Sequence, residues 1–564
     1  MSQKRFTITS ALLYANGPIH LGHLSGAYLP ADIFSRYQKL KGHDVLFVSG
    51  SDEHGAAITL QAKKENISPK EIIDKYHDLN KKSFEEFGIE FSIYHRTSSE
   101  LHHKTSQDFF LKLNENNEFV KKDSYQFYDD ENQQFLADRY IIGECPKCGF
   151  EEAYGDQCES CGSSLSPEDL ISPKSTLSGS SPVKRKTFHW YLQMQNHEKW
   201  LKEWIEKGTI QSSFYHDPKM WKKQVLGQCK SWINSGLKER SMTRDLDWGV
   251  KVPLEDADGK VLYVWLDAPI GYISATKQWC LEQNKNWEDY WKKEASEIIH
   301  FIGKDNIVFH CIIFPILLKS HGEYNLPKNI PANEFLNLEG KKLSTSKNWA
   351  IWLHEYLKEF PNQQDSLRYT LCSTTPENKD TDFTWKDFQS RNNNELVSIL
   401  GNFINRVIIL TYKYWDGNIP ERDNVTEYDQ QIINSIKEYP DKIGNLITEY
   451  KFKESLSELM NLARMGNKYL ADTEPWKLRS TDERQTKNIL NICLQICCSI
   501  SILCKPFLPF TSKKLEEMLN NKGLKWNDAA MLNMQEGNKI KKIPLLFEKI
   551  EDDQINQQLS KLSL

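Results

Sequence analysis

Two hydrophobic patterns follow one another between Phe6 and Lys41. From Phe6 to Leu12 apolar and β-branched residues alternate, which predicts a β-strand. The triplet Asn16-Gly17-Pro18 ends that pattern. Beyond it, apolar residues recur at helical spacing, at Leu24, Ala27, Tyr28, Ala31 and Phe34. The sequence therefore predicts a strand, a loop and a helix that starts near His20.

A second apolar strand is predicted from Asp44 to Ser49, and it ends in the polar run 50–55. Strand, helix and strand in this order form a right-handed parallel unit, whose ligands bind at the carboxyl ends of the strands. His20 and His23 share one face at the helix start, where backbone N–H groups and the helix dipole attract anions. These features favour a phosphate site, although two histidines near a helix start can also be plain surface residues.

The pattern changes three times further along the chain. Helices and a short strand at 91–96 are predicted up to residue 117, and short apolar pieces with many turn residues follow from 118 to 249. A strand, a turn and a helix are predicted from Val261, and an apolar run from Ile298 ends at Asp305. We interpret 118–249 as an insertion into one α/β domain.

Glycine and proline become sparse after Asn392. Long amphipathic segments then predict an α-helical bundle, with helices at 395–415, 426–469 and 484–505.

Composition adds limits to this organisation. A chain of 564 residues is too long for one core. It shows no apolar run near the roughly 18 residues of a membrane span and no signal-peptide pattern, so a cytoplasmic protein without membrane contact is expected. The net charge of −5 does not by itself suggest a nucleic-acid partner. A basic surface would have to be local, for example at 219–240 or on the helices after 388.

Four of the twelve cysteines form two close pairs, Cys145 with Cys148 and Cys158 with Cys161, and nine residues separate the pairs. Four thiolates at this spacing can surround one Zn²⁺ and leave no open position, so a structural zinc site is predicted. Two disulfides or four thiols without metal are the alternatives, and a cytoplasmic chain disfavours the disulfides. The other eight cysteines are interpreted as reduced core residues.

The segment from Ala11 to His23 resembles the "HIGH" signature of class I aminoacyl-tRNA synthetases, and in particular of methionyl-tRNA synthetases. Further along, Leu338 to Lys347 resembles the "KMSKS" loop of the same enzymes, with Lys342 at its first lysine. Thr345 replaces the second lysine, and Lys341 and Lys347 are candidates to substitute for it. Lysines and hydroxyls on a mobile loop suit a polyphosphate, although a charged surface turn is the simpler alternative.

The resemblance implies a fold and a domain order. We expect a Rossmann-like parallel α/β nucleotide-binding fold split by a zinc-knuckle insertion and followed by an α-helical anticodon-binding bundle. The expected domains are the first catalytic half (1–117), the insertion (118–249), the second catalytic half (250–335), a stem-contact region (336–391) and the bundle (392–564). The stem-contact region contains the segment 338–347, which we call the lysine loop.

The resemblance also implies the reaction. Methionine would attack the α-phosphate of Mg²⁺-bound ATP to give methionyl-adenylate and pyrophosphate, and tRNA(Met) would then accept the methionyl group. His20, His23 and Lys342 are the implied catalytic residues, because they would neutralise charge on the phosphates. Together with Thr345 they are also the implied ATP-binding residues.

For L-methionine, the resemblance implies a site in which Asp52 and the backbone near Leu12 hold the ammonium group, with Asp305 nearby. The thioether would lie among aromatic and imidazole side chains, which are Tyr14, Trp265, Tyr272, Phe309 and His310. A family tryptophan that closes on methionine is replaced by Phe314. In isolation, such an aromatic set is more often core than ligand pocket.

For the anticodon, the resemblance implies that Trp476 stacks on a base while Asn402 and Arg406 read base edges from one helical face. Ser398 stands where many relatives carry asparagine. The alternative is that Trp476 packs between helices.

Three other functions compete with this interpretation. A synthetase for leucine, isoleucine or valine would be expected to carry a larger editing insertion. A nucleotidyltransferase would not need the helical bundle, and a zinc-knuckle RNA-binding protein would not need the Lys342 loop. Many relatives carry a further C-terminal domain that is not seen here, so a monomer is expected.

Overall fold

The structure is a computed structural model of the 564-residue chain, and it describes residues 3–155, 158, 160–161, 165–345, 348–542 and 544–562. Its strands, in chain order, are β1 (Arg5–Ser10), β2 (Leu13–Tyr14), β3 (Asp44–Asp52), β4 (Ile93–Arg96), β5 (Phe119–Asp129), β6 (Gln134–Phe135), β7 (Ile141–Glu144), β8 (Ala153–Tyr154), β9 (Ile171–Ser175), β10 (Val183–Leu192), β11 (Thr209–Ile210), β12 (Ser213–Phe214), β13 (Arg240–Ser241), β14 (Thr243–Asp245), β15 (Lys260–Leu262), β16 (Ser296–Gly303), β17 (Ala332–Asn333), β18 (Leu336–Leu338), β19 (Lys341–Lys342) and β20 (Thr381–Phe383).

The α-helices, in chain order, are α1 (Leu21–His23), α2 (Leu29–Leu40), α3 (Ala56–Glu65), α4 (Pro69–Phe87), α5 (Glu100–Glu115), α6 (Glu198–Lys207), α7 (Lys223–Asn234), α8 (Val264–Gln283), α9 (Glu288–Trp291), α10 (Phe314–His321), α11 (Leu353–Glu359), α12 (Gln364–Ser373), α13 (Trp385–Arg391), α14 (Asn402–Trp415), α15 (Glu427–Thr448), α16 (Phe452–Thr473), α17 (Pro475–Leu478), α18 (Glu483–Leu503), α19 (Pro509–Leu519) and α20 (Asp552–Leu562). Three π-helical segments precede α2, α10 and α14, at Leu24–Tyr28, Phe309–Ile313 and Asn392–Gly401.

A parallel sheet forms the centre of the catalytic part. Its strand order is β17-β16-β1-β3, and β2 and β4 both pair with β3. Ile8 lies between Phe47 and Ile299 in the register, and all three side chains are buried. Apolar residues on both faces of these strands are typical of a sheet covered by helices on each side. The sheet confirms the predicted Rossmann-like fold, and the carboxyl ends of β1, β3 and β16 meet at one edge.

The insertion between the two halves of this sheet is built on antiparallel pairs. β5 and β10 form a long ladder that runs from Val183 opposite Tyr128 to Leu192 opposite Phe119. A smaller sheet, in the order β8-β7-β9, adjoins the cysteine pairs. The predicted strand at Val261 exists as β15, but it pairs antiparallel with β14 and not with the parallel sheet. Antiparallel pairing with a neighbour in sequence needs only a short connection, whereas parallel pairing needs a crossover.

The C-terminal part is the predicted helical bundle, with one correction. The single helix expected over 426–469 is two helices, because the chain turns between Thr448 at the end of α15 and Phe452 at the start of α16. Tyr450 adopts a positive φ of 59° in that turn, and its side chain is buried against Phe34 of the catalytic part. The stacking of Tyr450 on Phe34 thus explains a break that helical periodicity does not show.

Two helical stretches in the described residues, Trp385–Trp415 and Glu483–Leu503, are long and apolar enough to cross a membrane by length and composition alone. Most of Glu483–Leu503 is buried inside the protein. Its cysteines Cys493, Cys497 and Cys498 are buried thiols, as expected for the central helix of a bundle.

A buried arginine of α12, in the segment before the bundle, links the bundle to the catalytic part. The guanidinium of Arg368 is fully buried, and it donates to Asp32 Oδ2 at 2.6 Å and to the carbonyl oxygens of Pro506 and Phe507. Such a pair persists only when its remaining hydrogen bonds are satisfied, as they are here. The bundle is therefore docked on the helix that follows the first strand.

Candidate active site

His20 and His23 form the first part of the site. His20 caps helix α1, and its Nδ1 accepts a hydrogen bond from the backbone N–H of Gly22 at 3.1 Å. The backbone N–H of His20 lies 3.3 Å from His23 Nδ1, and the two rings are stacked with centroids 3.7 Å apart. Both Nδ1 atoms accept, so the ring protons reside on Nε2. Burial lowers the pKa of His23 to about 4, so His23 is a neutral donor at pH 7.

The lysine loop lies directly against this histidine pair. A Cβ atom on Gly22 would come within 2.7 Å of Leu343 Cδ1, so the absence of a side chain at Gly22 lets the loop approach. The backbone N–H of Leu21 donates to Ile351 O, and Trp352 lies 5.9 Å from the His20 ring. The structure thus brings together two motifs that are far apart in sequence.

The two loop residues with predicted ATP contacts are both exposed. Lys342 lies at the end of β19. Burial raises the pKa of Asp305 above its ordinary value, and the nearby charges of Lys304 and Lys342 partly oppose that rise. Thr345 lies in the turn that follows, and Lys347 lies outside the described residues.

A cavity of about 500 Å³ opens at the carboxyl ends of the parallel strands. Every residue predicted for methionine lines it: Leu12, Tyr14, Asp52, Trp265, Tyr272, Asp305, Phe309 and His310. Concave, largely apolar cavities of this size at such strand ends are typical binding sites for small ligands.

Asp52 places a buried carboxyl group in this cavity. Its Oδ1 atom has no hydrogen-bond partner among the described residues, while the backbone N–H of His54 binds its carboxylate. Burial and the neighbouring charge of Asp267 raise the pKa of Asp52 to about 8. A carboxyl group in this environment gains from direct contact with a cation, and the ammonium group of a ligand would provide that contact.

The other end of the cavity is aromatic. Trp265 and Phe309 meet edge to face with ring centroids 6.2 Å apart, and Tyr272 Oη lies 2.9 Å from His310 Nε2. Burial lowers the pKa of His310 to about 4, so this imidazole is neutral. Phe314 does not line the cavity, since it is fully buried and packs behind Tyr272 at 6.2 Å. Sulfur and methyl groups pack well against such ring edges.

Sequence analysis missed two groups of residues in or next to this cavity. Residues of the insertion cover its mouth: Ala137, Arg139, Arg244, Leu246 and Trp248. Behind Asp52, the buried side chains of His54 and His102 flank Asp267. A carboxylate in the apolar run 264–276 was the one available signal for the second group, because an acidic residue is rarely buried without a partner.

Gly55 shows why the chain turns sharply after His54. Its φ is +97°, and a Cβ atom there would come within 2.5 Å of Tyr14 Oη. Only glycine accommodates both the backbone conformation and the tyrosine. The hydroxyl of Tyr14 donates to His54 O at 2.6 Å, which closes the turn.

The four predicted metal ligands converge. The sulfur atoms of Cys145, Cys148, Cys158 and Cys161 all lie within 4.8 Å of one another, and the pairs Cys145–Cys161 and Cys148–Cys158 are 3.9 and 3.6 Å apart. A tetrahedron with Zn–S bonds of about 2.3 Å has edges of about 3.8 Å, which matches these separations. All four are thiols and not disulfides. The cluster can therefore hold one tetrahedral metal ion.

The candidate anticodon residues lie together on the bundle. Pro475 begins α17, and Trp476 is 38% exposed. The guanidinium of Arg406 lies 5.2 Å from the Trp476 ring centre, and Asn402 is exposed one helical turn earlier. Ser398 Oγ donates to Asn393 O at 2.7 Å within its own helix. The structure groups these side chains and leaves the tryptophan accessible.

The basic stretch 219–240 is not a continuous surface. Trp221 is buried, and Lys222 Nζ donates to Asn333 Oδ1 at 2.6 Å and to Glu377 O at 2.8 Å. Both side chains hold the insertion against the second half of the catalytic part.

Comparisons with known proteins agree with this geometry. Residues 6–408 match the family of class I tRNA synthetases (M), and residues 419–563 match the anticodon binding domain of methionyl tRNA ligase. The methionine–tRNA ligase of Christiangramia forsetii is 58% identical over 567 residues, which cover 99% of this chain and 81% of that protein. That of Cytophaga hutchinsonii is 56% identical over 566 residues, with the same coverage.

A solved structure shows the same fold. The Mycobacterium tuberculosis methionyl-tRNA synthetase in complex with methionyl-adenylate superposes with a TM-score of 0.79 at 20% identity, over 97% of this chain and 100% of that one. Together with the two family matches, which span nearly the whole sequence, these relatives show that the chain belongs to the methionyl-tRNA synthetase family of class I tRNA synthetases.

Proposed function

We propose that this protein activates L-methionine with Mg²⁺-bound ATP and transfers the methionyl group to tRNA(Met). In the first step a methionine carboxylate oxygen bonds to the α-phosphorus and pyrophosphate leaves. In the second, the 3′-terminal ribose hydroxyl oxygen of the tRNA bonds to the carbonyl carbon, the bond from that carbon to the phosphate oxygen breaks, and AMP leaves together with the hydroxyl proton. Family membership supports the reaction, and the buried Asp52 carboxylate in the 500 Å³ cavity carries the assignment of the site.

The cavity supports one orientation of methionine. The ammonium group binds Asp52, whose Oδ1 otherwise stays buried without a partner, and the backbone near Leu12 lies beside it. The thioether then lies among Trp265, Tyr272 and Phe309, with Tyr14 and His310 completing the wall. Asp305 also lines the cavity and would lie near the ammonium group.

The phosphate groups of ATP would bind between the histidine pair and the lysine loop. The Nε2 protons of His20 and His23 donate to phosphate oxygens, and Lys342 and Thr345 approach from the loop that packs on Gly22. Preorganised donors of this kind stabilise charge that develops at the α-phosphate, so no protein nucleophile is required. Mg²⁺ accompanies the nucleotide and neutralises its phosphate charge.

The cysteine cluster would hold one structural Zn²⁺. Four sulfur ligands leave no open position for water or substrate, so the metal takes no part in the chemistry. Its position in the insertion next to Tyr154 and β7 suggests that it stabilises the segment that contributes Ala137 and Arg139 to the cavity mouth.

For the tRNA, the bundle offers an aromatic platform at Trp476 with Arg406 and Asn402 beside it. Single-stranded bases are recognised by stacking and by hydrogen bonds to their edges, and these three side chains provide both.

We further propose that the protein is a cytoplasmic monomer.

The test of the reaction is amino-acid-dependent ATP–pyrophosphate exchange with each of the twenty amino acids, followed by charging of tRNA(Met). Exchange stimulated by methionine above all others, and methionyl-tRNA formation, are the expected results. Exchange with leucine, isoleucine or valine at a comparable rate would contradict the proposed substrate, and exchange without tRNA charging would contradict the second step.

A further inference from the structure

A buried hydrogen-bonded trio adjoins the methionine cavity, and one of its members, His54, lines the cavity wall. Asp267 Oδ2 lies 2.7 Å from His54 Nδ1, and Asp267 Oδ1 lies 2.5 Å from His102 Nε2. The side chains of Asp267 and His102 are fully buried, and that of His54 nearly so. The three residues come from α8, α5 and the turn after β3, so only the tertiary fold brings them together.

These separations are those of hydrogen bonds and not of metal ligands. Donor atoms around a metal with bonds of about 2.1 Å are about 3 Å or more apart, so a metal ion would require the trio to open. An ionised carboxylate only accepts hydrogen bonds, and each imidazole therefore donates an N–H hydrogen bond to Asp267. In this trio Asp267 is the anionic group, and the two imidazole rings are its hydrogen-bond donors.

Asp52 lies next to this trio. It precedes His54 by two residues, and the backbone N–H of His54 binds its carboxylate. The titratable groups that act on Asp52 are its neighbours Glu53 and His54 in the same segment, Tyr14 from β2, and Asp267 and Tyr272 from α8.

The trio has its own titratable neighbours. His103 Nε2 lies 3.3 Å from His54 Nε2 on the side away from Asp267, and Asp52 and Glu53 also act on His54. His95 from β4 faces His102, and the hydroxyls of Ser106 and Ser274 hydrogen-bond the His102 ring.

The electrostatics of the pair have a clear direction. Burial opposes protonation of His54, but the carboxylates of Asp267, Asp52 and Glu53 outweigh it and raise the pKa of His54 above its ordinary value. Burial and Asp267 raise the pKa of Asp52 to about 8, and the positive charge of His54 opposes that rise. Without His54, Asp267 and Asp52 would be two buried anions facing each other.

We infer that His54, held in place by Asp267 and His102, is a positioning residue whose positive charge favours the ionised form of Asp52, the form that binds the ammonium group of methionine. This inference rests on the proposed role of Asp52. His54, His102 and Asp267 contact neither ATP nor the reacting atoms. Their charges nevertheless decide how well the cavity binds a cationic amino group.

The first test is the pH profile of the methionine KM in pyrophosphate exchange. For the unmodified protein, the KM for methionine should fall as pH rises from 6 to 8, because Asp52 loses its proton over that range. In His54→Asn the amide still donates to Asp267 but carries no charge. The curve of methionine KM against pH should therefore shift to higher pH. Each pH unit of that shift raises the methionine KM at pH 7 about tenfold. The kcat and the KM for ATP should change little.

The second test is a reciprocal rescue. Adding Asp267→Asn to His54→Asn removes the uncompensated anion, so Asp52 ionises more readily again. The methionine KM of the double variant should return toward that of the unmodified protein. A purely structural role of the trio predicts the opposite, a double variant at least as impaired as the single one, and that result would overturn the inference.

A matched control is His197→Gln, which removes another buried histidine–carboxylate pair, with Glu118 at 2.9 Å, outside the cavity. Its methionine profile should be unchanged, and a shift equal to that of His54→Asn would overturn the inference.

Asp52→Asn separates the two proposals. Normal methionine binding in Asp52→Asn would refute the role of Asp52 itself, whereas impaired binding there with an unshifted His54→Asn profile would refute the inference alone.

Discussion

The methionine cavity and the Trp476 surface on the bundle differ in which side chains they bury and which they expose to solvent. In the cavity a carboxylate, Asp52, is buried and its charge is set by other buried groups. On the bundle an aromatic side chain, Trp476, is partly exposed, and the guanidinium of Arg406 lies against its ring. A small zwitterion such as methionine is recognised in a buried site, because burying a charge without a partner costs free energy. An RNA base is bound by offering it a flat apolar face from solution.

This difference predicts that the two regions fail separately. Substitutions in the cavity should impair both adenylate formation and charging, since charging needs the adenylate. Substitutions on the bundle surface should impair charging alone. The predictions below test this separation, starting with the largest expected effect.

Asp52→Asn should raise the KM for methionine in pyrophosphate exchange by about two to three orders of magnitude, because loss of one partner of a buried charge pair costs roughly 2–5 kcal/mol. The KM for ATP should stay within about twofold, since the histidine pair and the lysine loop are untouched. Steady-state exchange kinetics at varied methionine and at varied ATP measure both values. A rise in the KM for ATP of similar size would mean that Asp52 supports the whole site and not the ammonium group.

Cys158→Ser should remove the metal. Elemental analysis should fall from one equivalent of zinc to well below one, and exchange should slow by about tenfold or more as the cover of the cavity loses its support. Cys280→Ser, at a buried thiol outside the cluster, is the control and should retain the metal. Full activity of a metal-free protein after exhaustive chelation would exclude a structural role for the site.

Trp476→Ala should weaken tRNA charging by roughly 1–3 kcal/mol of lost stacking, about 5- to 150-fold in kcat/KM for tRNA. Methionine-dependent exchange should remain nearly unchanged, because the adenylate site lies in the other part of the molecule. Met531→Ala, a control at another exposed apolar side chain of the C-terminal region, should affect neither assay. Equal losses in both assays, or a large fall in thermal stability, would show that Trp476 packs the bundle and does not read the tRNA.

Gly22→Ala should have the smallest effect. The added Cβ would lie 2.7 Å from Leu343 Cδ1 and 2.9 Å from the His20 ring, so the imidazole or the loop must shift by a few tenths of an ångström. We expect a rise of several-fold in the KM for ATP and an unchanged KM for methionine, since overpacking of about 1 kcal/mol is typical. Combining it with Leu343→Ala should recover part of the loss. No recovery would locate the strain at His20 alone.

Much of the site was predictable because its residues follow strand ends. Leu12, Asp52 and Asp305 each lie at or just beyond the end of a predicted strand, and parallel strands bring their carboxyl ends to one edge whatever the loops do. The cysteine pairs were predictable for a different reason, since their spacing by itself allows four sulfur atoms to meet.

The remaining features depend on contacts that have no local signature. Tyr450 interrupts the helix expected over 426–469 because Phe34, more than 400 positions earlier, stacks on it. β15 pairs with β14 because an antiparallel neighbour is close in sequence. The cover of the cavity by Arg139, Arg244 and Trp248 follows from how the insertion folds back over the sheet.

By itself, the sequence determined the class of the protein: hydrophobic periodicity, the histidine motif and the cysteine spacing are local properties, and each of them predicted an element that the structure contains. Only the tertiary structure decided how charge is arranged behind the methionine cavity. His54, His102 and Asp267 are separated by up to 213 positions. Their pairing arises because buried polar groups must find hydrogen-bond partners within the protein, and burial is a property of the folded chain.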